Sequence, residues 1–313
     1  MRLLRAELAR LTARRFTRVM FVALLLALGT VAIVVAYNTS RPTAEDLRRA
    51  EAQAAEERTE CLAAQEHVPE REQWDCGEIT AAHYLDYVLN FRAEMPDLML
   101  GFGGMLALFG FLVGASYIGA EWSSGGIANL LLWRTRRVRV LVAKLTAMLL
   151  TLLVAGIVVA AAWVAAIWFI ASTRGLIGEL TPGFWNSLGF DAARAIGLAL
   201  LTSVVGMAVA SLGRRTAAAL GLLIGYLVVW ELGARLVMEG LDVLAPDRFM
   251  LSSYVAGWLA KETTITDYQD CYAMDCTPYE LLVTWPSALL VLGTVAVTAV
   301  VVASWSFQRR DVT

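Results

Sequence analysis

The chain has 313 residues, a formal net charge of −2, 58% hydrophobic and only 17% charged residues, and a mean hydropathy of +0.60. That is too apolar for a soluble domain of this length, and the apolar residues come in long blocks, so a soluble enzyme or a nucleic-acid-binding module is excluded. The expected fold class is an all-α polytopic membrane protein with six transmembrane helices, an N-terminal interfacial amphipathic helix and helical extracellular cap loops.

In chain order, residues 1–18, "MRLLRAELARLTARRFTR", place Leu4, Leu8, Leu11 and Phe16 on one helical stripe with the arginines largely off it. Such a basic amphipathic helix is expected in the inner interface plane, its arginines near anionic lipid headgroups. Residues 19–313 are expected to form one six-helix transmembrane domain. A span needs about 20 apolar residues, and six blocks meet this: Val19–Tyr37, Leu98–Ala120, Leu145–Ser172, Ala195–Leu212, Thr216–Leu236 and Leu281–Trp305. The first is not read as a cleavable signal peptide, because "VAIVVAYNTSRP" lacks a small-residue cleavage site.

Two long segments interrupt the blocks. In 38–97, Thr43 and Asp46 sit like a capping box before an Ala/Glu/Arg-rich helix. A turn at Cys76-Gly77 follows, then a second helical stretch, "TAAHYLDYVLNFRAEM", leading into the second span. A segment this long is expected to pack as a small cap. Segment 237–280 mixes apolar and polar residues and is expected to be partly helical at the outer surface, with a re-entrant helix compatible with its composition.

Charge orients the spans. The N-terminal arm, the 121–144 loop, the Gly213–Arg215 turn and the C-terminal tail together hold 15 Lys/Arg and three acids, Glu7, Glu121 and Asp311; the rest of the chain holds 11 bases and 25 acids. The positive-inside rule puts both termini in the cytoplasm and the protein in the plasma membrane. Cys61, Cys76, Cys271 and Cys276 all fall on the opposite, oxidising side. They are expected to form the local pairs Cys61–Cys76 and Cys271–Cys276, although four cysteines allow three connectivities and free thiols stay open.

Chemistry is sparse. His67 and His83 are the only histidines and lie outside the spans, so a Ser–His protease has no base within the bilayer. Neither H-E-x-x-H nor G-x-x-x-x-G-K-[ST] occurs. No catalytic residue, no metal site and no cofactor of the chain's own is therefore expected. Glu231 and Arg235, four apart in the fifth span, are expected to pair on one helix face, and Asp191 and Arg194 flank the end of the fourth. Gly110 and Gly114 form one G-x-x-x-G pair and Gly221 and Gly225 another. With Phe102, Met105 and Phe109 they could line a pathway or a dimer interface; bundle packing is the plainer alternative.

The loop from Glu121 to Lys144 is unusual. "GGIANLLLWRTRRVRVLVAKL" reads as helix; Ile127, Leu130, Leu131 and Trp133 are apolar for a watery loop, and Arg134, Arg136, Arg137 and Arg139 are dense. A short helix beneath the membrane after a glycine bend fits these features, and such a helix could insert into a cleft on a partner. Here the chain resembles the permease subunit of an ABC-2 type ABC transporter. In that family the second span ends in an acid and a Ser/Gly-Gly-Thr turn, then a leucine-rich segment, a basic residue and a lysine opening the third span. "EWSSGGIANLLL" supplies Glu121, Ser124 and Gly125, with Arg136 or Arg137 and Lys144 after it, and "SFQRRDV" resembles the family's tail. Gly126 stands where Thr or Ser is usual, and "WRTRR" lacks the usual proline.

The resemblance implies a permease that ATP drives through a separate cytoplasmic ATPase subunit, present in two copies and using ATP and Mg. It also implies a second permease copy or paralogue, and a coupling role for Glu121, Ser124, Gly125, Gly126, Arg136, Arg137 and Lys144. The implied cargo is an amphipathic or hydrophobic compound such as a peptide antibiotic, drug or lipid. The alternative reading is a membrane sensor or scaffold, its extracellular loop binding a ligand and its arginine loop a cytoplasmic partner.

Overall fold

The computed structural model describes residues 2–65, 76–126, 137–268 and 277–309. Helix accounts for 82% of the structure, and six helices are long and apolar enough to cross a membrane. The chain is a helical multi-pass membrane protein.

Helix α1 (Arg2–Ala13) and α2 (Arg15–Asn38) are separated by the single residue Arg14. They are followed by α3 (Ala44–Gln65), α4 (Phe91–Ser123), α5 (Arg137–Arg174) and α6 (Pro182–Gly213). Then come α7 (Thr216–Gly240), α8 (Leu251–Leu259) and α9 (Trp285–Arg309). The six span-length helices are α2, α4, α5, α6, α7 and α9. An antiparallel pair, β1 (Glu262–Asp267) and β2 (Tyr279–Thr284), stands between α8 and α9, with Glu262 opposite Thr284 and Asp267 opposite Tyr279.

The apolar blocks lie within helices, with one exception. Leu281–Thr284, expected to open the last span, belong to β2. A four-residue apolar run does not distinguish helix from strand, and the β-branched "TTIT" of β1 offers it a partner that buries Ile265 beside Val283 and Ala245. The 237–280 segment is thus part helix and part hairpin. A second difference lies in Thr80–Met95, expected to be helical. Only Ala81–Tyr84 takes a short 3-10 turn, and α4 begins at Phe91. Backbone pairing with Leu176 holds the intervening residues instead: the Leu176 amide donates to Leu89 O (2.8 Å) and the Phe91 amide to Leu176 O (2.9 Å).

The chain divides into two compact units, one made of Met1–Leu28, Pro96–Ala162 and Pro182–Thr313, the other of Gly29–Met95 and Trp163–Thr181. In the second unit the expected capping box forms: the Asp46 amide donates to Thr43 Oγ1 (3.2 Å) and the Thr43 amide to Asp46 Oδ2 (2.9 Å). The Thr43 hydroxyl, donating to Asp46 Oδ2 (2.6 Å), and the Thr43 amide hold the Asp46 carboxyl below its ordinary range. The disulfide Cys61–Cys76 ties the last turns of α3 to the 3-10 turn at Cys76–Glu78. Arg41 donates to Gly175 O (3.0 Å) and Ser172 O, and the Leu89 amide donates to the buried Thr39 hydroxyl (2.7 Å).

The first unit is organised on α4 and α6, of whose apolar windows 61% and 56% are buried, against 6% for α7. Small residues bring these two backbones together. A methyl group on Gly110 or Gly114 would collide with the carbonyl of Ala199 or Ser203, and one on Gly206 with the carbonyl of Phe111. Thr202 Oγ1 also donates to Ala107 O across the same contact (2.7 Å). Helix α9 packs on α6 and α8.

Candidate functional site

The most concentrated chemistry in the described residues is a buried charge cluster where α1, α4 and α5 meet. Glu7 on α1 and Lys144 on α5 are each about 1% exposed, and Tyr117 on α4 is fully buried. Glu121 stands one helical turn beyond Tyr117, so both point from one face of α4. The Lys144 ammonium lies 2.8 Å from Glu7 Oε2 and 2.8 Å from Glu121 Oε2, with Glu121 Oε1 at 3.0 Å.

Arg14, in the break between α1 and α2, completes the group. Its guanidinium donates to Glu121 Oε1 (3.0 Å) and to the carbonyls of Tyr117 (2.8 Å) and Ser116 (3.3 Å). The Tyr117 hydroxyl donates to Glu7 Oε2 (2.7 Å). Both cations also lie over the Tyr117 ring, 5.1 Å (Arg14) and 5.0 Å (Lys144) from its centroid, within reach of the ring's negative face. Arg10, at the exposed rim, reaches Glu7 Oε1 (3.3 Å).

A buried carboxylate, Glu7, and a half-buried one, Glu121, therefore meet Lys144 and Arg14, with Arg10 at the rim. Burial alone would push the Glu7 carboxyl up, but the hydrogen bonds of Lys144 and Tyr117 and the charges of Lys144 and Arg10 outweigh it, leaving its pKa below the ordinary 4.5. Every carboxylate oxygen in the group has a partner within the chain. Such a cluster fastens α1, α4 and α5 to one another. Taking charges out of water is expensive, and removing one partner of such a pair costs about 3–5 kcal/mol.

The turn beyond Glu121 is built for a sharp exit. Helix α4 ends at Ser123, Ser124 donates from its amide to Ala120 O (3.1 Å), and Gly125 takes φ +70°. That left-handed conformation suits glycine at the residue after a helix C-cap. Gly126 is exposed. Ile127, Leu130, Leu131, Trp133, Arg134 and Arg136 lie outside the described residues. Arg137 opens α5, so 137–144 is the first part of a 38-residue helix and not a loop.

Several expected residues fall elsewhere. Phe102, Phe109, Gly110 and Gly114 are buried within the chain's own α4–α6 core, and Phe109 stacks at 6.3 Å on Phe21. The Gly110 and Gly114 pair is taken up by close backbone packing on α6, the plainer of the two expectations. Met105 is half-buried, whereas Gly221 and Gly225 of α7 have open space beside them. Glu231 and Arg235 do not pair. Arg235 turns to Glu239 (3.0 Å) and Asp247 (3.2 Å), Glu231 to Tyr226 and Ser252. Each is claimed by other partners, and the π-helical stretch Tyr226–Ala234 of α7 sets Glu231 within reach of the Tyr226 hydroxyl five residues before it. Asp191 does pair with Arg194 (3.3 Å) and also meets Lys261 (3.5 Å). Cys271 and Cys276 lie outside the described residues.

The sequence does not mark Glu7 and Arg14 as site residues, and it offers Tyr117 as a residue facing a lumen or a partner rather than as a member of a charge cluster. One signal was present: Glu7 is the single acid among six arginines in residues 1–18. A second is that the chain has only two lysines, Lys144 and Lys261, beside 24 arginines. Lys144 stands where a compact ammonium meets carboxylates in a crowded site. Among the described residues no cluster of histidine, cysteine and carboxylate could hold a metal ion. Compared with known proteins, the chain matches no protein-family model and no curated protein.

Proposed function

We propose that the chain is the membrane-spanning subunit of an ATP-driven exporter of the ABC-2 type, moving an amphipathic or hydrophobic compound across the plasma membrane. The observation that carries this reading is the meeting of Glu121 and Lys144. These are the acid ending the second span and the lysine opening the third that the family resemblance singles out, and they are 2.8 Å apart. Both are tied to α1 through Glu7 and Arg14. A force on the segment between α4 and α5, or on α1, would therefore reach α4 through one rigid joint, as an energy-coupling element requires.

In this reading the termini are cytoplasmic, α1 lies in the inner interface against anionic lipid, and α3 with the disulfide Cys61–Cys76 forms an extracellular cap. Two copies of a separate ATPase hydrolyse ATP with Mg, and a second permease copy or paralogue completes the pathway. The open glycine face of α7, rather than that of α4, is the surface left for that second permease. Glu121, Ser124, Gly125 and Lys144 transmit motion and perform no chemistry.

The test is purification of the tagged chain from its native host in mild detergent. A P-loop ATPase in stoichiometric amount is expected, with ATP turnover retained in Glu121→Ala but substrate flux lost. A chain that purifies with no ATPase, or a Glu121→Ala variant that transports normally, overturns the assignment.

A further inference from the structure

The far end of α7 is attached in an unusual way. With only 6% of its apolar window buried, α7 gains little from packing against the rest of its unit. It holds the 246–259 segment by polar contacts instead. Glu231 Oε1 accepts from the Tyr226 hydroxyl (2.7 Å) and the Ser252 amide (3.1 Å), and Oε2 accepts from the Ser252 hydroxyl (2.7 Å). The Tyr226 oxygen accepts from the Leu251 amide (3.1 Å), and the Trp230 indole donates to Phe249 O (3.2 Å).

Leu251 and Ser252 are the first two residues of α8, whose amides have no partner within that helix, and α8 has no side-chain cap of its own. Helix α7 supplies the cap from outside.

The contact depends on how α7 is wound. Tyr226 and Glu231 are five apart, and the π-helical stretch Tyr226–Ala234 stacks residues at that spacing. In α-helical winding, at about 100° per residue, the same two side chains would point about 140° apart. The hydrogen bonds to α8 thus require the π winding, and the winding, less favourable than α in an apolar helix, needs the hydrogen bonds to persist. Each state excludes the other.

We propose that Glu231, Tyr226 and Ser252 form a releasable latch that holds the first turn of α8 on α7 only while residues 226–234 are π-wound, the Arg235–Asp247 pair tethering the preceding turn independently. Release returns α7 to regular α winding and frees the first turn of α8. The device needs no partner protein and stands apart from the exporter reading.

The experiment is amide hydrogen exchange on the full chain in lipid nanodiscs. Glu231→Met keeps length and helix propensity but removes every acceptor. It is expected to raise exchange at Leu251–Ser253 at least tenfold and leave α6 unchanged. Glu231→Gln keeps Oε1 for Tyr226 and the Ser252 amide, and is expected to stay within threefold of the parent protein. If Glu231→Met fails to fold, Tyr226→Phe combined with Ser252→Ala removes both hydroxyls and leaves the Ser252 amide on Glu231, so the tenfold rise is expected at the Leu251 amide. Unchanged exchange in the stripped variants overturns the latch. Glu231→Gln behaving like Glu231→Met overturns it too, because charge rather than hydrogen-bond geometry would then hold the segment.

Discussion

Replacing Lys144 by methionine should destabilise the protein far more than the loss of one surface charge, and a second substitution at Glu7 should not make matters worse. Lys144 is about 1% exposed and within 3.0 Å of three carboxylate oxygens. Methionine fills much of its volume but leaves the buried Glu7 with the exposed Arg10 as its cation and Glu121 with the half-buried Arg14. Stranding a buried charge costs about 3–5 kcal/mol. Glu7→Gln removes a charge-assisted bond at about 1.5–3 kcal/mol, while Lys144 keeps Glu121. In the double variant one charge of each sign is gone and Glu121–Arg14 stands balanced, so the combined loss should be no larger than that of Lys144→Met alone. The coupling energy is then about 2 kcal/mol, within the range for residues sharing one network. Thermal unfolding followed by tryptophan fluorescence in nanodiscs reads this directly. At about 2 °C per kcal/mol, Lys144→Met melts about 6–10 °C lower, and the double variant melts at the same temperature or higher. A double variant that melts at the sum of the two single shifts would show that Glu7 and Lys144 do not share a joint.

Glu7 also sets a pH dependence. Its folded pKa is lowered, so its contribution is fully present above its ordinary 4.5 and lost as pH falls through the lower folded value. Melting curves of the parent and Glu7→Gln should converge as pH drops below that range, and a gap that stays constant refutes the assignment. Gly114→Ala forces a methyl into the Ser203 carbonyl and should cost about 1–3 kcal/mol. Gly221→Ala meets open space and should be neutral or gain up to about 1 kcal/mol; equal melting shifts for the two would remove the close α4–α6 contact. The double variant Cys61→Ser/Cys76→Ser opens a 15-residue link worth about 3 kcal/mol. Limited proteolysis within α3 should accelerate in it, and an unchanged cleavage rate would mean that packing alone holds α3.

Hydropathy made the six spans legible because a helix in lipid must satisfy its own backbone, and a run of 20 apolar residues has few other fates. The capping box at Thr43 and the Cys61–Cys76 pair were legible because both are local, three and 15 residues apart. What hydropathy cannot carry is partner choice. The two G-x-x-x-G pairs look alike in sequence, yet one is spent on α6 and the other faces open space. Glu231 and Arg235 have the spacing of an α-helical pair, but Glu231 is engaged by Ser252, 21 residues away, and Arg235 by Asp247. The charge cluster joins residues 137 apart, so the sequence shows its members as separate oddities.

A buried charge cluster needs a reason, because apolar residues of the same volume would usually hold a helix junction at least as firmly. Ion pairs differ from apolar packing in their dependence on geometry. A leucine contact tolerates a slide of an ångström, whereas a four-charge group with every oxygen engaged has few arrangements of comparable energy. Helix α1 is fastened to α4 and α5 by Glu7, Arg14 and Leu11, while Leu4 and Leu8 are only half-buried and Phe16 is exposed. The junction thus fixes the angle and register of α1 without committing its leucines to the protein core. At the other end of the same unit, α7 is fastened by Glu231 through an equally directional group. Hydrogen bonds and ion pairs of this kind weaken steeply once distance and angle depart from ideal. That mechanical character suits parts that switch between two positions better than parts that only need to stay in place.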